Sequence, residues 1–459
     1  MHQFRIAPLL LRGRIRAGTG LIDLLAVLAF TVSSWLLLSV LAGVNTFVNR
    51  QVSPPAAFVA ALGPNAAQGV PELVIWTLLA ACAGVLLIVP LVTLGAAAAR
   101  MGALGRDQRL STLRLLGITG GQAIALSTVE TMLAGLAGGV LGVVGYLLTL
   151  PAWAAISFQA TPLSAAEMLL PAWAIAATVA GLVVLAGLSS VTGLMRLTIS
   201  PLGVARRAPR PALKLWRLLA VPLVIAAWII VAPMLNLARE FVASAAIVLV
   251  VLALFMGVIN LVGPWLLQLL GLLLTRSGRP AVLLAGRRLL ADPKSAWRSV
   301  SGLAFVGFTG GALVSLPDFT AYSEDPLLRI LAEDVRTGTY LTLGIAFLVA
   351  ATSTLLNQAS GVLDRRRELR QLANLGVPGS LHDRTRLVEV VAPAALSALG
   401  SGGLAVLFFA QLPSMQPASI GPLLFVASLL AGIALVWAAG EACRPVLRAA
   451  LSGVGVRAE

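Results

Sequence analysis

Arg106-Asp107-Gln108-Arg109-Leu110-Ser111-Thr112-Leu113-Arg114-Leu115-Leu116-Gly117 and Arg365-Arg366-Arg367-Glu368-Leu369-Arg370-Gln371-Leu372-Ala373-Asn374-Leu375-Gly376 are two copies of one segment, and each lies between long apolar stretches. Leucines recur at three-residue steps in both, at Leu110, Leu113 and Leu116 and at Leu369, Leu372 and Leu375. Each run stops on a glycine suited to closing a helix, Gly117 and Gly376. An offset of 259 residues superimposes the leucines and the glycines, and thirteen residues further on it matches Glu130 with Glu389. A short charged amphipathic helix repeated between membrane spans is a surface suited to a soluble partner.

The chain around these segments is a membrane protein by composition. Of its 459 residues, 59% are hydrophobic and 11% charged, with mean hydropathy +0.95, whereas soluble domains carry about a quarter charged residues. Apolar runs of roughly 18 residues or more occur about ten times, near 21–48, 73–99, 122–150, 171–195, 215–235, 244–275, 300–317, 338–358, 388–411 and 422–443. The first is long and lacks a small-x-small cleavage site after it, so it is expected to stay in the membrane rather than act as a signal peptide.

A net charge of +15 invites a nucleic-acid reading, but the basic residues alternate loop by loop. Arg5, Arg12, Arg14 and Arg16 precede span one, Arg100, Arg106, Arg109 and Arg114 follow span two, and Arg196, Arg206, Arg207 and Arg210 follow span four. The same side then receives Arg276 to Arg298, Arg365 to Arg386, and Arg444, Arg448 and Arg457. The opposite loops hold Arg50, Arg239, Arg329 and Arg336 among acids such as Glu72, Glu167, Glu240, Glu333 and Asp334. The basic side is therefore expected to be cytoplasmic, with both termini on it. No nucleic-acid partner is expected; membrane lipids are.

The fold class expected is an all-α integral membrane protein of about ten transmembrane helices. Its parts are a first four-span repeat over 1–210, a linking pair over 211–278 and a second four-span repeat over 279–459. The matched segments lie six spans apart, so both face one side and the duplication is parallel rather than inverted. Residues 4–15 and 282–290 read as basic amphipathic helices along the inner membrane surface. Arginine and alanine usage hints at a GC-rich bacterial genome, and hence at a bacterial plasma membrane.

Chemistry of its own is not expected. There is no G-x-x-x-x-G-K-[ST] loop, and Lys214 and Lys294 are the only lysines. Two histidines, His2 and His382, give no basis for a histidine metal centre or a Ser-His-Asp triad. Cys82 and Cys443 give none for a disulfide framework. No catalytic residue, metal ligand or cofactor is assigned. Glu130 and Glu389, on the inner parts of spans three and nine, read either as proton or cation sites or as partners of nearby arginines. The second reading is favoured, because pairing offsets the cost of the charge; Asp23 and Glu441 read the same way. Gly135, Gly138, Gly139, Gly142 and Gly145 form a face for close helix approach, with Ala394, Ser397, Ala398 and Ser401 at the matching places of the second copy.

An R-x-R-E-I-x-x-L-R-x-L-G segment after a span, followed by a helix with an early glutamate and many glycines, resembles the FtsX-like permease domain of MacB-like, type VII ABC transporters. The first copy carries Leu110, Leu113, Arg114, Leu116, Gly117 and Glu130 of that pattern. The second carries Arg365, Arg367, Glu368, Leu369, Leu372, Leu375, Gly376 and Glu389, and Ser200-Pro201-Leu202 with Arg206 and Arg207 resembles the end of such a domain. Each copy keeps a different half: the family's acid is Arg109 in one and Glu368 in the other, and its later arginine is Arg114 in one and Ala373 in the other.

The resemblance implies a permease subunit that couples ATP hydrolysis by two copies of a separate cytoplasmic ABC ATPase to export or extraction of an amphipathic substrate. An antimicrobial peptide, an antibiotic or a lipid-like molecule is the implied cargo, with ATP and Mg on the partner. The leucines would anchor each coupling helix, while Arg106, Arg109, Arg365, Arg366 and Arg367 face the ATPase. The alternatives are a non-transporting relay driven by an ATPase partner and a secondary carrier.

Overall fold

The computed structural model describes residues 20–63, 70–104, 119–198, 219–234, 241–314, 325–364, 371, 374–376, 378–411 and 421–442. Among them the apolar runs become α-helices in chain order: α1 (Gly20–Val52), the short α2 (Ala56–Leu62), α3 (Val74–Leu104), α4 (Gly120–Thr149), α5 (Ala172–Thr198), α6 (Ala220–Val231), α7 (Phe241–Leu274), α8 (Pro280–Ala291), α9 (Pro293–Val314), α10 (Pro326–Asp364), α11 (Gly379–Phe409) and α12 (Gly421–Ala442). One two-stranded hairpin, β1 (Ser157–Phe158) and β2 (Thr161–Pro162), sits between α4 and α5. A helix satisfies its own backbone, which is why apolar sequence in hydrocarbon takes this form.

Eight of these helices are long and apolar enough to cross a membrane, so the chain is an all-α, multi-pass membrane protein. The other two expected spans lie partly outside the described residues. Within 215–235 the described part is α6, of 12 residues, and the 3-10 turn Ala232–Met234 that continues it. In place of 300–317 stands α9, which begins at Pro293 and carries Lys294 and Arg298 in its first two turns. Every residue from 299 to 311 is buried. Lys294 and Arg298 stay exposed ahead of this stretch, and the hydroxyls inside it, such as Ser299, Ser301 and Thr309, are surrounded by protein.

Helix pairings recur along the chain. In the first four long helices, α1 packs on α3 and α4, α4 on α5, and α3 on α5. In the last four, α9 packs on α10 and α11, α11 on α12, and α10 on α12. The two sets meet chiefly through α3 against α10, and α10 also reaches α1. Between them α7 lies on α8, α9 and α3, and α6 lies on α7. Trp228 of α6 is 1% exposed, stacks on Phe408 of α11 at 4.5 Å between ring centroids, and donates its indole N–H to the Phe408 carbonyl at 2.8 Å.

Small residues set the closest crossings. A Cβ on Gly138 would lie 2.5 Å from the Phe30 Cβ, and one on Gly142 would lie 2.8 Å from the Ser34 Oγ, so α1 can approach α4 only because both positions are glycine. Gly135 and Gly139 face Ala186 and Val179 of α5 instead. The rest of α4 presents Leu133, Leu136, Val140, Leu141, Val144, Leu147 and Leu148 outward, as a helix edge in lipid should. At the matching crossing the small residues are shared by both partners: Gly307 and Gly311 of α9 lie against Ala398 and Gly402 of α11. Ala394, Ser397, Ala398 and Ser401 are all buried there. Ser397 and Ser401 return their hydroxyls to carbonyls of their own helix, at 3.0 and 3.1 Å.

Candidate functional site

The duplicated segments lie largely outside the described residues. This holds for Arg106, Arg109, Leu110, Leu113, Arg114, Leu116 and Gly117, and for Arg365, Arg366, Arg367, Glu368, Leu369 and Leu372. The described end of the second copy closes as a helix end should. The Leu375 N–H donates to the Gln371 carbonyl at 3.1 Å, and Gly376 follows at φ +83, the left-handed conformation that ends helices and favours glycine. Leu375 itself is 79% exposed. The other two leucines of this copy, Leu369 and Leu372, lie outside the described residues.

Both segments lead into a long helix at the same register. Thr119 precedes Gly120 of α4, Pro378 precedes Gly379 of α11, and the two starts differ by the same 259 residues as the segments themselves. The entries are chemically unlike. Thr119 and Gln122 form a reciprocal capping box, with bonds of 3.3 and 3.1 Å, whereas Pro378 gives α11 no side-chain cap.

Farther along these helices stand the two matched acids. Glu130 is half-buried on α4. Glu389 on α11 accepts from Arg288 of α8 at 3.3 Å, the two side chains being 18% and 12% exposed. One turn before it, Arg386 lies 3.7 Å from Glu441 of α12. The arginine-partner reading of Glu389 and Glu441 is thus realised in the geometry, and it ties α8 and α12 to α11 beside the second segment. Helix α8 itself turns Ala285, Gly286 and Leu289 inward and crosses the end of α7 where a Cβ on Gly286 would meet the Gly271 carbonyl at 2.9 Å. Removing one partner of such a pair leaves a poorly solvated charge, which in fully buried cases costs about 3–5 kcal/mol and less where water reaches it.

A second polar cluster occupies the end assigned outside by the charge pattern. Arg50 closes α1 and is 2% exposed. Its Nε and Nη2 donate to the Glu167 carboxylate at 3.1 and 2.9 Å, and Nη1 and Nη2 donate to the carbonyls of Phe158 and Pro162 at 2.8 and 3.2 Å. One guanidinium therefore clamps both strands of the hairpin and the loop after it. Held by the Arg50 hydrogen bonds, Glu167 has its carboxyl below the usual carboxylate range. Phe47 meets Phe158 edge-on at 5.3 Å, and the Tyr146 hydroxyl donates to the Met168 carbonyl and accepts the Leu170 N–H.

The hairpin tip reaches the other set of helices. Gln159 and Ala160 have φ +57 and +54, the two left-handed positions of a tight hairpin, at about 1–3 kcal/mol each for non-glycine residues. The Gln159 backbone N–H and the Trp76 indole N–H both donate to Asp334 Oδ2 of α10, each at 2.7 Å. Around this contact Phe58, Leu62, Leu73 and Trp76 pack on Leu327 and Ile330 of α10. The Gln159 side chain is fully buried, and neither its Nε2 nor its Oε1 has a partner among the described residues. In the sequence Arg50, Glu167 and Asp334 read only as outer-loop charges. The available signal was an Asp334 continuous with an apolar run, which asks for a partner; nothing in the sequence identifies that partner as Trp76, 258 residues away.

No family model matches the chain, and no curated protein or solved structure matches it either.

Proposed function

We propose that the chain is the membrane subunit of an ABC transporter of the FtsX-like, MacB-like type, with ten spans in two parallel repeats and both termini in the cytoplasm of a bacterial cell. Two copies of a cytoplasmic ABC ATPase dock on the segments 106–117 and 365–376, hydrolyse ATP with Mg, and drive export or extraction of an amphipathic substrate. The chain supplies no catalytic group. The observation that carries the reading is the common register: each segment leads into the third helix of a four-helix set, at Gly120 and Gly379, and the two sets pack by the same pairings. A repeated lever on one face, entering two similar bundles, suits a dimeric motor.

The Arg288–Glu389 bridge supports a role for Glu389 in holding the lever base rather than in carrying a proton. The test is whether an ABC ATPase is encoded beside its gene, followed by ATP hydrolysis by the chain co-reconstituted with that ATPase in liposomes. Stimulation by an amphipathic peptide or antibiotic, reduced to different extents by Arg114→Ala and Glu368→Ala, is the expected result. A bound ATPase whose turnover ignores every such substrate favours the relay. Absence of any associated ATPase, with uptake or efflux driven by an ion gradient, overturns the reading in favour of a carrier.

A further inference from the structure

We propose that the end of the molecule bearing Arg50 is a releasable joint between the two helix sets, with Asp334 as its catch and a parting plane between Asp334 and the Gln159 turn. The joint stands on its own geometry and holds whether or not an ATPase drives it.

Four observations define it. First, the hairpin belongs mechanically to the first set: Arg50 grips both of its strands and Glu167, and Phe47 packs against Phe158. It would travel with α1 as one piece. Second, its contact with α10 is narrow. Asp334 is 6% exposed and accepts from two neutral donors, the Trp76 indole and the Gln159 amide N–H. Among the described residues no cationic side chain lies within ion-pair distance of it. Neutral hydrogen bonds to a single oxygen can exchange for water as the surfaces separate, whereas the chelated Arg50 would have to lose four bonds together.

Third, the apolar cluster sharing this seam, Phe58, Leu62, Leu73 and Trp76 against Leu327 and Ile330, is separate from the main core. It can part without opening the bundle. Fourth, the closed state carries its own opposing load. The buried Gln159 amide has no partner among the described residues, and burying such a group costs free energy that hydration returns. Gln159 and Ala160 add left-handed backbone at the same point. A contact held by one carboxylate and opposed by one desolvated amide is poised between two states, and each side chain offers a substitution that pushes a different way.

The experiment is pulsed electron–electron spin distance measurement on the full chain in lipid nanodiscs. Labels are placed on cysteines introduced at Ala154 and Arg329, both exposed, with Cys82 and Cys443 replaced by alanine. The parent is expected to give a dominant short distance with a minor longer one. Asp334→Ala should raise the longer population severalfold, and Trp76→Phe, which keeps an aromatic ring against Phe58, should raise it less. Gln159→Leu, which removes the unpartnered amide at similar volume, should deplete it. Should Asp334→Ala fail to fold, Trp76→Phe and Gln159→Leu decide the matter through their opposite directions. Monodisperse variants that all retain the parent distribution overturn the proposal and make the contact a fixed structural one.

Discussion

Arg50 illustrates how much one side chain can organise. It is nearly fully buried at the end of an apolar helix, where an arginine is costly unless every donor is used. Two carbonyls and one bidentate carboxylate take four of its five N–H groups. Arg50→Met should therefore lower thermal stability in detergent and expose the 156–171 loop to protease, by more than the roughly 0–1 kcal/mol of a surface pair. Glu167 gives the pH dependence. Its folded-state carboxyl titrates below the ordinary value of 4.5, so its contribution is complete above that value and is lost as pH falls through the depressed one. The unfolding temperature of the parent should drop, as pH falls below 4.5, more steeply than that of Glu167→Gln. Parallel curves would contradict the linkage. Gly376 belongs at the same scale: no atom lies within 4 Å of a Cβ built there, yet φ is +83, so a substitution strains backbone alone. If the proposed ATPase docks there, Gly376→Val should weaken its coupling with little change in melting temperature, and Gly376→Asn, which tolerates this conformation, should be milder.

At the scale of elements, α4 and α9 show two solutions to one crossing. In the first set glycines on α4 admit α1; in the second, glycines on α9 and small residues on α11 divide the same task. Gly138→Leu is expected to push Phe30, and α1 with it, off α4 and destabilise the first set by at least the about 1–3 kcal/mol of an overpacked core. Gly121→Leu, where a Cβ has no neighbour within 4 Å, should be nearly silent in the same thermal unfolding measurement. This glycine face was legible in the sequence because small residues repeat at helical spacing. So were the long spans, through their apolar runs. The shape of α9 was not. Lys294 and Arg298 place its hydropathy below that of the lipid-facing helices, and burial inside protein leaves no periodic signature on a helix covered all round. Leucine spacing reports a helical face but not which side of it the bundle occupies, and Leu375 is exposed.

At the scale of the whole molecule, two sets of four helices with like pairings meet through α3 and α10. One end carries acid–arginine bridges beside the second matched segment, and the other end carries the Asp334 joint. None of the long-range partners could be read from the chain: Trp76 to Asp334, Arg288 to Glu389 and Trp228 to Phe408 are single contacts between distant elements, without repeat or spacing to announce them. The central claim is that two similar levers receive two motor subunits. Native mass spectrometry of the chain co-produced with any ABC ATPase encoded beside its gene tests it most directly. The account predicts one chain with two ATPase subunits, reduced to one or none by Arg365→Glu with Arg367→Glu. A complex holding no ATPase, or one whose stoichiometry is indifferent to both segments, would contradict it.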